Sequence, residues 1–468
     1  MDRSSVDHDD HDADSAQGPA MRWGGRVLPA EPLRTLAAYV AAGGGNGLAT
    51  ALAMPPEEVI AELDDAGLRG RGGAGFPTAT KWRSVRQAAA DTDSAARLVV
   101  NGAEGEPGTY KDRQLLATNP YQVLEGTIIA RHAVGADQVH IGVKARSGQA
   151  RLVRQAIDEV VAAGWEEPGA LRVVAGPDEY LFGEESGLLE VVEGNLPLPR
   201  WLPPFQQGLF ATTEQPHPTV VNNVETLANV PLILTDGAGA FRELGTRASP
   251  GTMLFTVTGD VASPGVYELP LGTPLRQLLV DIAGADDVKA VFSGVSSPVI
   301  DPDRLDTPLT YEDMQSAGTA LGSGGFVVYD HTHCIVRVAV QLSHFLAIES
   351  CAQCTACKLG CTAITELLRT IESGEATRQH IDAIADRLPH ITDQTRCALP
   401  AGEQLLIGSL LTAYRDEFVG HLGRSCDARV VEHVPKIDQL DDSAGTATYD
   451  PDYHRKRSDW SYAPAVGS

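Results

Sequence analysis

The sequence has no run of apolar residues long enough to cross a bilayer, and its first residues are acidic where a secretion signal would be basic and then apolar. Both absences lead us to expect a cytoplasmic protein with no direct membrane span. Basic charge is also short: 37 Lys and Arg face 62 Asp and Glu, a net charge of -25. So acidic a chain is expected to have no nucleic acid as its main partner, because phosphate contacts need basic patches. Cysteine is scarce, seven in 468 residues, and the number is odd. A disulfide framework is therefore not expected. Four of the seven crowd between Cys351 and Cys361, a pattern of metal or cluster ligation in a reducing compartment.

Glycine, in contrast, is plentiful at 47 positions, and the length allows two to four domains. Residues 1–25 read as a disordered acidic leader, with Asp and His alternating and nothing to bury. Pro32 to Ala41 and Glu57 to Asp65 have helical patterns, the second ending at Gly67. Next comes the glycine-rich run Gly67 to Pro77. Gly70, Gly72 and Gly75 match the dinucleotide fingerprint formally, but a helix precedes them where a strand is required, and Pro77 interrupts the helix that should open after them. A classical Rossmann unit is rejected. Residues without a Cβ still let backbone N–H groups approach a phosphate or a flat ring, with Arg71 and Lys81 able to supply positive charge.

From 97 to 175 strands and helices alternate: strands Arg97 to Asn101, Gln138 to Lys144 and Leu171 to Ala175, helices Pro120 to Ala133 and Gly148 to Ala163. This is a parallel α/β unit, whose ligands sit beyond the carboxyl ends of the strands. The first strand runs into Asn101 to Gly108 and the third toward Tyr180 to Ser186, so two glycine-spaced acidic loops face one crevice. A carboxylate there can accept from a ribityl or ribose hydroxyl, or simply cap a helix. Glu193 to Pro204 is proline-punctuated and irregular, and Thr219 to Thr226 leads into a helix ending near Pro231. Residues 250–299 read as a small β-grasp-like module for docking or spacing, succeeded by a linker and a strand at Phe326 to Tyr329. Cys334, near His331 and His333, reads as a buried cysteine because a fourth zinc ligand is missing. Helical periodicity then covers 338–348, 363–371, 377–388 and 401–422, and 426–468 is a polar tail without a convincing element.

Two sets of four cysteines compete for the metal. Cys351, Cys354, Cys357 and Cys361 have ferredoxin-like spacing; the other set replaces Cys361 by Cys397. Spacing does not separate them, and a structural zinc fits either.

The motifs in combination resemble a known family. Gly67 to Pro77 with Lys81 and Trp82, Glu104 to Thr109 with Lys111, Asp112 and Arg113, Gly183 to Glu185, Pro203 to Phe205, Val221 to Pro231, Gly322 to Gly325 and Glu349 to Cys357 are similar to the NADH-binding 51 kDa flavoprotein subunit of respiratory complex I. The diaphorase parts of NAD-linked hydrogenases and formate dehydrogenases share that module. The resemblance implies an FMN/NADH-binding α/β domain at 26–248, a β-grasp-like domain of soluble-ligand-binding type with its linker at 249–330, and a helical [4Fe-4S] domain at 331–425. It implies that Gly70, Arg71, Gly72, Lys81, Asn222, Asn223 and Thr226 hold FMN, with Asn101, Glu104, Tyr180, Gly183 and Glu184 lining the rest of its site. Glu106 and Glu185 would lie by the nicotinamide of NADH, Phe76 and Phe205 would stack on the dinucleotide, and the cluster ligands would be Cys351, Cys354, Cys357 and Cys397. Three positions depart from the family pattern: Ala103 replaces an aspartate, Leu202 a lysine before Pro203, and Ser84 an aromatic.

The function expected from the resemblance is hydride transfer from NADH to FMN, then single-electron transfer through the [4Fe-4S] cluster to a partner. Leu202 and Ser84 keep open an electron-transfer subunit that exchanges electrons without NADH, and a zinc scaffold is the non-enzymatic reading. The family's small thioredoxin-like [2Fe-2S] subunit is not part of this chain, so that subunit or a ferredoxin is the expected partner in a hetero-oligomer.

Overall fold

A computed structural model describes residues 25–393, 396–428, 434–441 and 444–464. The expected leader lies almost wholly outside them. The first layer is a four-stranded parallel sheet in the order β3-β2-β1-β4, with β1 Ala96–Gly102, β2 Ala136–Lys144, β3 Leu171–Gly176 and β4 Thr219–Asn223. β1 is central, pairing Val99 with His140 on one side and with Val221 on the other. Its Leu98, Val99 and Val100 are completely buried, as the continuous apolar run of a strand covered on both faces requires. The crossover helices are Pro120–Val134 and Gln149–Ala162. The first opens on a proline, whose missing N–H costs nothing there, and stops at Gly135 with φ 74°.

Two elements here differ from expectation. Thr219–Asn223 is a strand, not merely a helix approach, and the helix after it, Val224–Phe241, runs through Pro231 until its path breaks at Gly237. It packs so closely on Pro120–Val134 that a Cβ at Gly126 would stand 1.9 Å from the Leu227 carbonyl oxygen. A helix, Thr78–Asp91, also begins directly after Pro77. The glycine loop therefore does open a helix. The element before the loop is the helix Pro56–Ala66 rather than a strand, so the classical Rossmann unit stays excluded.

The second layer is a mixed sheet in the order β6-β5-β8-β7, with β5 Thr252–Gly259, β6 Gly265–Pro270, β7 Val288–Ser293 and β8 Gly325–Asp330. β8, the strand expected beyond the linker, inserts between β5 and β7 and runs parallel to β5. The third part is helical: Ile335–Glu349, Thr355–Glu372, Arg378–Arg387, Leu399–Ala413 and Arg415–Gly420. Its apolar core continues into the mixed sheet through Phe292, Val295, Val327 and Tyr329.

The segment expected as a featureless tail is structured. β9 Ile437–Asp441 and β10 Thr446–Tyr449 form an antiparallel hairpin, and Tyr453–Arg455 a short 3-10 turn. Val434, Ile437, Leu440 and Tyr453 are buried. Overall polarity hides this structure because the anchors are few and spaced widely among charged residues. The segment returns across the molecule: Arg113 donates to the Ile437 carbonyl at 2.8 Å, and Lys436 pairs with Asp178 at 2.5 Å. Tyr453 Oη and Lys456 Nζ both reach the buried Glu349 carboxylate, at 2.9 and 2.8 Å.

Candidate active site

Beyond the carboxyl ends of β1 and β4 lies a pocket of about 210 Å³. Its walls come from the glycine loop (Gly72), both acidic loops, the start of helix Lys111–Thr118, Asn223, Ser323 of the mixed-sheet domain, and Cys397 to Leu399 of the helical domain. Three domains thus meet at one cavity, which is where parallel α/β sheets place their ligands.

The floor is a buried charge cluster. Lys111 is 1% exposed, and its ammonium lies 2.8 Å from Asp112 Oδ1, 2.7 Å from Glu225 Oε2 and 3.4 Å from Asn223 Oδ1. Burial alone would discharge it; the two carboxylates hold its pKa above the ordinary lysine range. Asp112 is raised, since burial and the neighbouring Glu104 and Glu225 carboxylates outweigh the one ammonium. Glu104 accepts from Asp112 N at 3.1 Å and from Arg113 Nε at 3.0 Å, holding the first turn of helix Lys111–Thr118. Asn101 donates to the Gly183 carbonyl at 2.8 Å, and Glu184 caps helix Glu185–Val192 through Ser186 N (3.0 Å) and Gly187 N (2.7 Å). Capping and lining therefore coincide at Glu104 and Glu184. Glu106 accepts from Tyr180 Oη at 2.6 Å and from Val295 N at 2.7 Å; burial pushes its carboxyl up against those hydrogen bonds. The bond from Val295 brings the mixed-sheet domain, expected to serve for docking or spacing, to the wall of the site.

Other expected residues lie apart from the pocket lining. Arg71 is fully buried, and its guanidinium donates to the carbonyls of Thr252 (3.2 Å), Arg69 (3.1 Å) and Pro250 (3.1 Å). It seals the seam with the mixed-sheet domain and supplies no free charge. Thr226 Oγ1 accepts from Arg71 N at 2.8 Å, and Asn222 Oδ1 from Trp82 Nε1 at 2.7 Å, so both support the loop from behind. Gly70 closes the loop's neck by donating to the Phe76 carbonyl at 2.8 Å. Lys81 pairs with Glu185 and donates to the Val221 carbonyl at 2.8 Å. Phe76 and Phe205 are exposed, 51% and 42%, and neither lines the pocket. Residues absent from the expected set but lining the pocket include Lys111, Asp112, Thr109, Ser323 and Leu399. Lys111 and Asp112 had a signal, a charge pair directly after the first acidic loop.

At the cluster end, Cys357 and Cys361 sit one turn apart on helix Thr355–Glu372, both buried, while Cys351, Cys354 and Cys397 are partly exposed. Ala352 takes φ 63°, an unusual conformation for a residue with a Cβ, in the tight turn between Cys351 and Cys354. Burial pushes the Cys397 thiol up to about 12, opposed by the Leu399 N–H and reinforced by Cys351, Glu184 and Cys357 nearby. Cys361 instead shares a hydrogen bond with the Cys357 thiol and faces Glu403. Among the described residues, no three of these cysteine sulfurs gather within 4.8 Å of one another. A single tetrahedral zinc needs sulfurs about 3.8 Å apart, closer than this set as a whole stands. Gln353 and Arg396 both donate to the Pro199 carbonyl at 3.1 Å, and Arg396 lies over the Trp201 ring, tying the proline-rich loop to the cluster loops.

The lining fits FMN: Asn101 keeps a second amide N–H for polyol oxygens beyond its bond to Gly183, Lys111 supplies a cation to the pocket wall, Glu104 and Asp112 can accept from hydroxyls, and Gly183 leaves backbone bare where a Cβ would stand 3.0 Å from the Ala103 carbonyl.

Residues 63–232 match the Nuo51 FMN-binding domain, 254–290 the SLBB domain, and 337–421 the NADH-ubiquinone oxidoreductase-F iron-sulfur binding region. The chain is 40% identical over 409 residues to the F subunit of the NADH-quinone oxidoreductase of Streptomyces coelicolor, covering 84% of this chain and 89% of that protein. It is 38% identical over 404 residues to the second F subunit of the NADH-quinone oxidoreductase of Rhizobium meliloti, covering 83% and 94%. Its fold superposes on a chain of a NAD+-reducing [NiFe]-hydrogenase in the H2-reduced state with a TM-score of 0.72 at 35% identity, covering 81% of this chain and 64% of that one. The chain spans under two thirds of that hydrogenase chain. With the three domain matches and the relatives matched along most of their length in agreement, the chain belongs to the family of NADH-quinone oxidoreductase F subunits, the FMN-binding and [4Fe-4S] flavoproteins of respiratory complex I.

Proposed function

We propose that this protein oxidises NADH and delivers the electrons one at a time to a [4Fe-4S] cluster held by Cys351, Cys354, Cys357 and Cys397, and from there to a partner subunit. The observation that carries this reading is that Cys397, Ala398 and Leu399 form part of the same pocket wall as Asn101, Glu104 and Glu184. FMN bound in that pocket supplies the chemistry that joins a two-electron hydride donor to one-electron carriers. The chain's task is placement. Lys111 and the Asn101 amide hold the polyol and phosphate end; Gly72 and Gly183 keep the backbone close; Gly70, Arg71, Lys81, Asn222 and Thr226 fix the loop behind them. Glu106, oriented by Tyr180 and Val295, faces the nicotinamide position, with Glu185 and its partner Lys81 beside it. Phe76 and Phe205 offer exposed faces for the dinucleotide. No described helix is long and apolar enough to cross a membrane. We assign the protein to the cytoplasm, at the periphery of a hetero-oligomer whose acceptor is a thioredoxin-like [2Fe-2S] subunit or a ferredoxin.

A second reading, the same relay without NADH, is favoured by Leu202 and Ser84, which stand where the family has a lysine and an aromatic. An anaerobic titration with NADH and NADPH, tracking flavin absorbance and the paramagnetic signal of the reduced cluster together, separates the two. Saturable bleaching by a nicotinamide donor is expected. No bleaching by either, in protein that holds FMN, overturns NADH oxidation and leaves the second reading. In the same preparation Cys397→Ala should lose the cluster signal and Cys361→Ala keep it; the reverse would put the fourth ligand at Cys361.

A further inference from the structure

Outside the pocket and the cluster loops, a second group of soft donors converges. Cys334 precedes helix Ile335–Glu349, His421 comes directly after helix Arg415–Gly420, and Cys426 lies in the link that leads from the bundle to the C-terminal hairpin. The two Sγ atoms and a His421 ring nitrogen all lie within 4.8 Å of one another, and Cys334 Sγ is 3.2 Å from His421 Nε2. Cys334 is 4% exposed, His421 4%, and Cys426 half-buried. Cys334 stands between the other two, hydrogen-bonded to the His421 imidazole and to the Cys426 thiol, so the three donors already converge. His421 Nδ1 is buried with no hydrogen-bond partner among the described residues, so nothing there draws the ring away from the thiols. The surrounding structure holds the three in place independently. Glu417 accepts from Ile335 N at 2.8 Å, tying the two helix ends together, and Arg337 Nη2 donates to the Cys426 carbonyl at 2.9 Å.

We propose that Cys334, His421 and Cys426 bind a zinc ion that pins the end of the helical bundle to the start of the C-terminal segment. Two thiolates and an imidazole are zinc's preferred donors, and two thiolates cancel the ion's charge in a largely buried site. Tetrahedral bond lengths put sulfur and nitrogen about 3.5 Å apart and two sulfurs about 3.8 Å apart, and the three donor atoms of this triad already lie within 4.8 Å of one another. Three protein ligands leave the fourth position to water. Zinc binding releases the two thiol protons and changes no oxidation state. The anchoring matters because the segment beyond Cys426 carries Lys436 and Tyr453, which tie back to Asp178 and Glu349 beside the pocket. His331 and His333, the sequence neighbours of Cys334, take no part.

The test is elemental analysis of the full-length, iron-reconstituted chain loaded with zinc and passed over a weak chelator. The unmutated chain should retain stoichiometric zinc together with its iron. Cys426→Ala should lose the zinc and keep the iron, Cys351→Ala should lose the iron and keep the zinc, and Cys426→His should restore zinc. Cobalt in place of zinc should give the near-ultraviolet thiolate charge-transfer band and the strong visible bands of tetrahedral cobalt, a readout that needs no variant. The proposal is overturned if the unmutated chain retains no zinc and shows no such band, if zinc leaves with Cys351→Ala rather than Cys426→Ala, or if the freshly isolated chain contains a Cys334–Cys426 disulfide. The iron measurements report separately on the cluster, so either assignment can fail alone.

Discussion

The floor of the pocket and the exposed residues proposed to meet the dinucleotide, its rim, are built on opposite plans. On the floor, Lys111, Asp112, Glu225, Asn223, Glu104 and Arg113 bond to one another, and none of them is exposed. At the rim, Phe76, Leu202, Phe205 and Trp201 are 51%, 47%, 42% and 61% exposed, and Ser84 spends its hydroxyl on the Thr80 carbonyl. The floor is thus organised before any ligand arrives, which suits a cofactor that stays bound. The rim offers apolar faces that become useful only when something covers them, which suits a substrate that comes and goes.

The sharpest way to break this contrast is to remove the charge at the floor's centre. Lys111→Met leaves Asp112 and Glu225 facing each other without a cation in a buried site. Breaking one side of a buried ion pair costs on the order of 3–5 kcal/mol. Urea unfolding of the cofactor-free variant should show that loss, and the purified variant should hold little flavin. A loss below about 1 kcal/mol, the scale of exposed ion pairs, would mean that the floor is no more preformed than the rim.

The rim should respond the other way, by gaining. Leu202→Lys restores a cation beside Pro203, and Ser84→Phe an aromatic face on helix Thr78–Asp91. A charge-assisted hydrogen bond or a stacking contact at a partly exposed site contributes about 1–2 kcal/mol, so half-saturation of flavin bleaching by NADH should fall roughly tenfold for each, with flavin content unchanged. No change in either variant would detach the rim from dinucleotide binding.

The same division explains how much is legible in the sequence. Strand β1 carries a continuous apolar run, β2 and β3 short stretches rich in Val and Ile, and the crossover helices helical periodicity with glycine near their ends; these signals are local. The acidic loops are legible because a parallel sheet dictates where its loops point. β8 is legible as a strand but its place is not, since insertion between β5 and β7 depends on pairing that no local pattern encodes. Arg71 misleads for a related reason. An arginine among glycines looks available to a phosphate, but its burial is decided by the carbonyls of Pro250 and Thr252, which lie far along the chain. The C-terminal hairpin is hidden because its four buried anchors are scattered through charged residues. Lys111 escapes the expected set because its meaning comes from Glu225, more than one hundred residues away.

The smallest expected effect concerns how the rim is attached to the sheet. The rim loop, 193–218, covers β2 where the Phe210 ring meets the edge of His140, with centroids 5.9 Å apart. Burial, helped by the positive charges of Arg172 and Arg97, lowers the His140 pKa to about 4. Because the folded value lies below that of an unfolded histidine, near 6.5, the unfolded chain takes up the proton first as pH falls. Stability is therefore lost between about pH 6.5 and about pH 4, and this group adds no further loss below that window. The proton enters where the rim loop packs on β2, so the loop should loosen first: Trp201 fluorescence and proteolysis within 193–218 should change in this window while flavin content holds. His140→Gln has no such proton to take up and should flatten the change. If acid releases flavin at the same pH as it frees the loop, floor and rim open as one unit and the contrast between them is structural only.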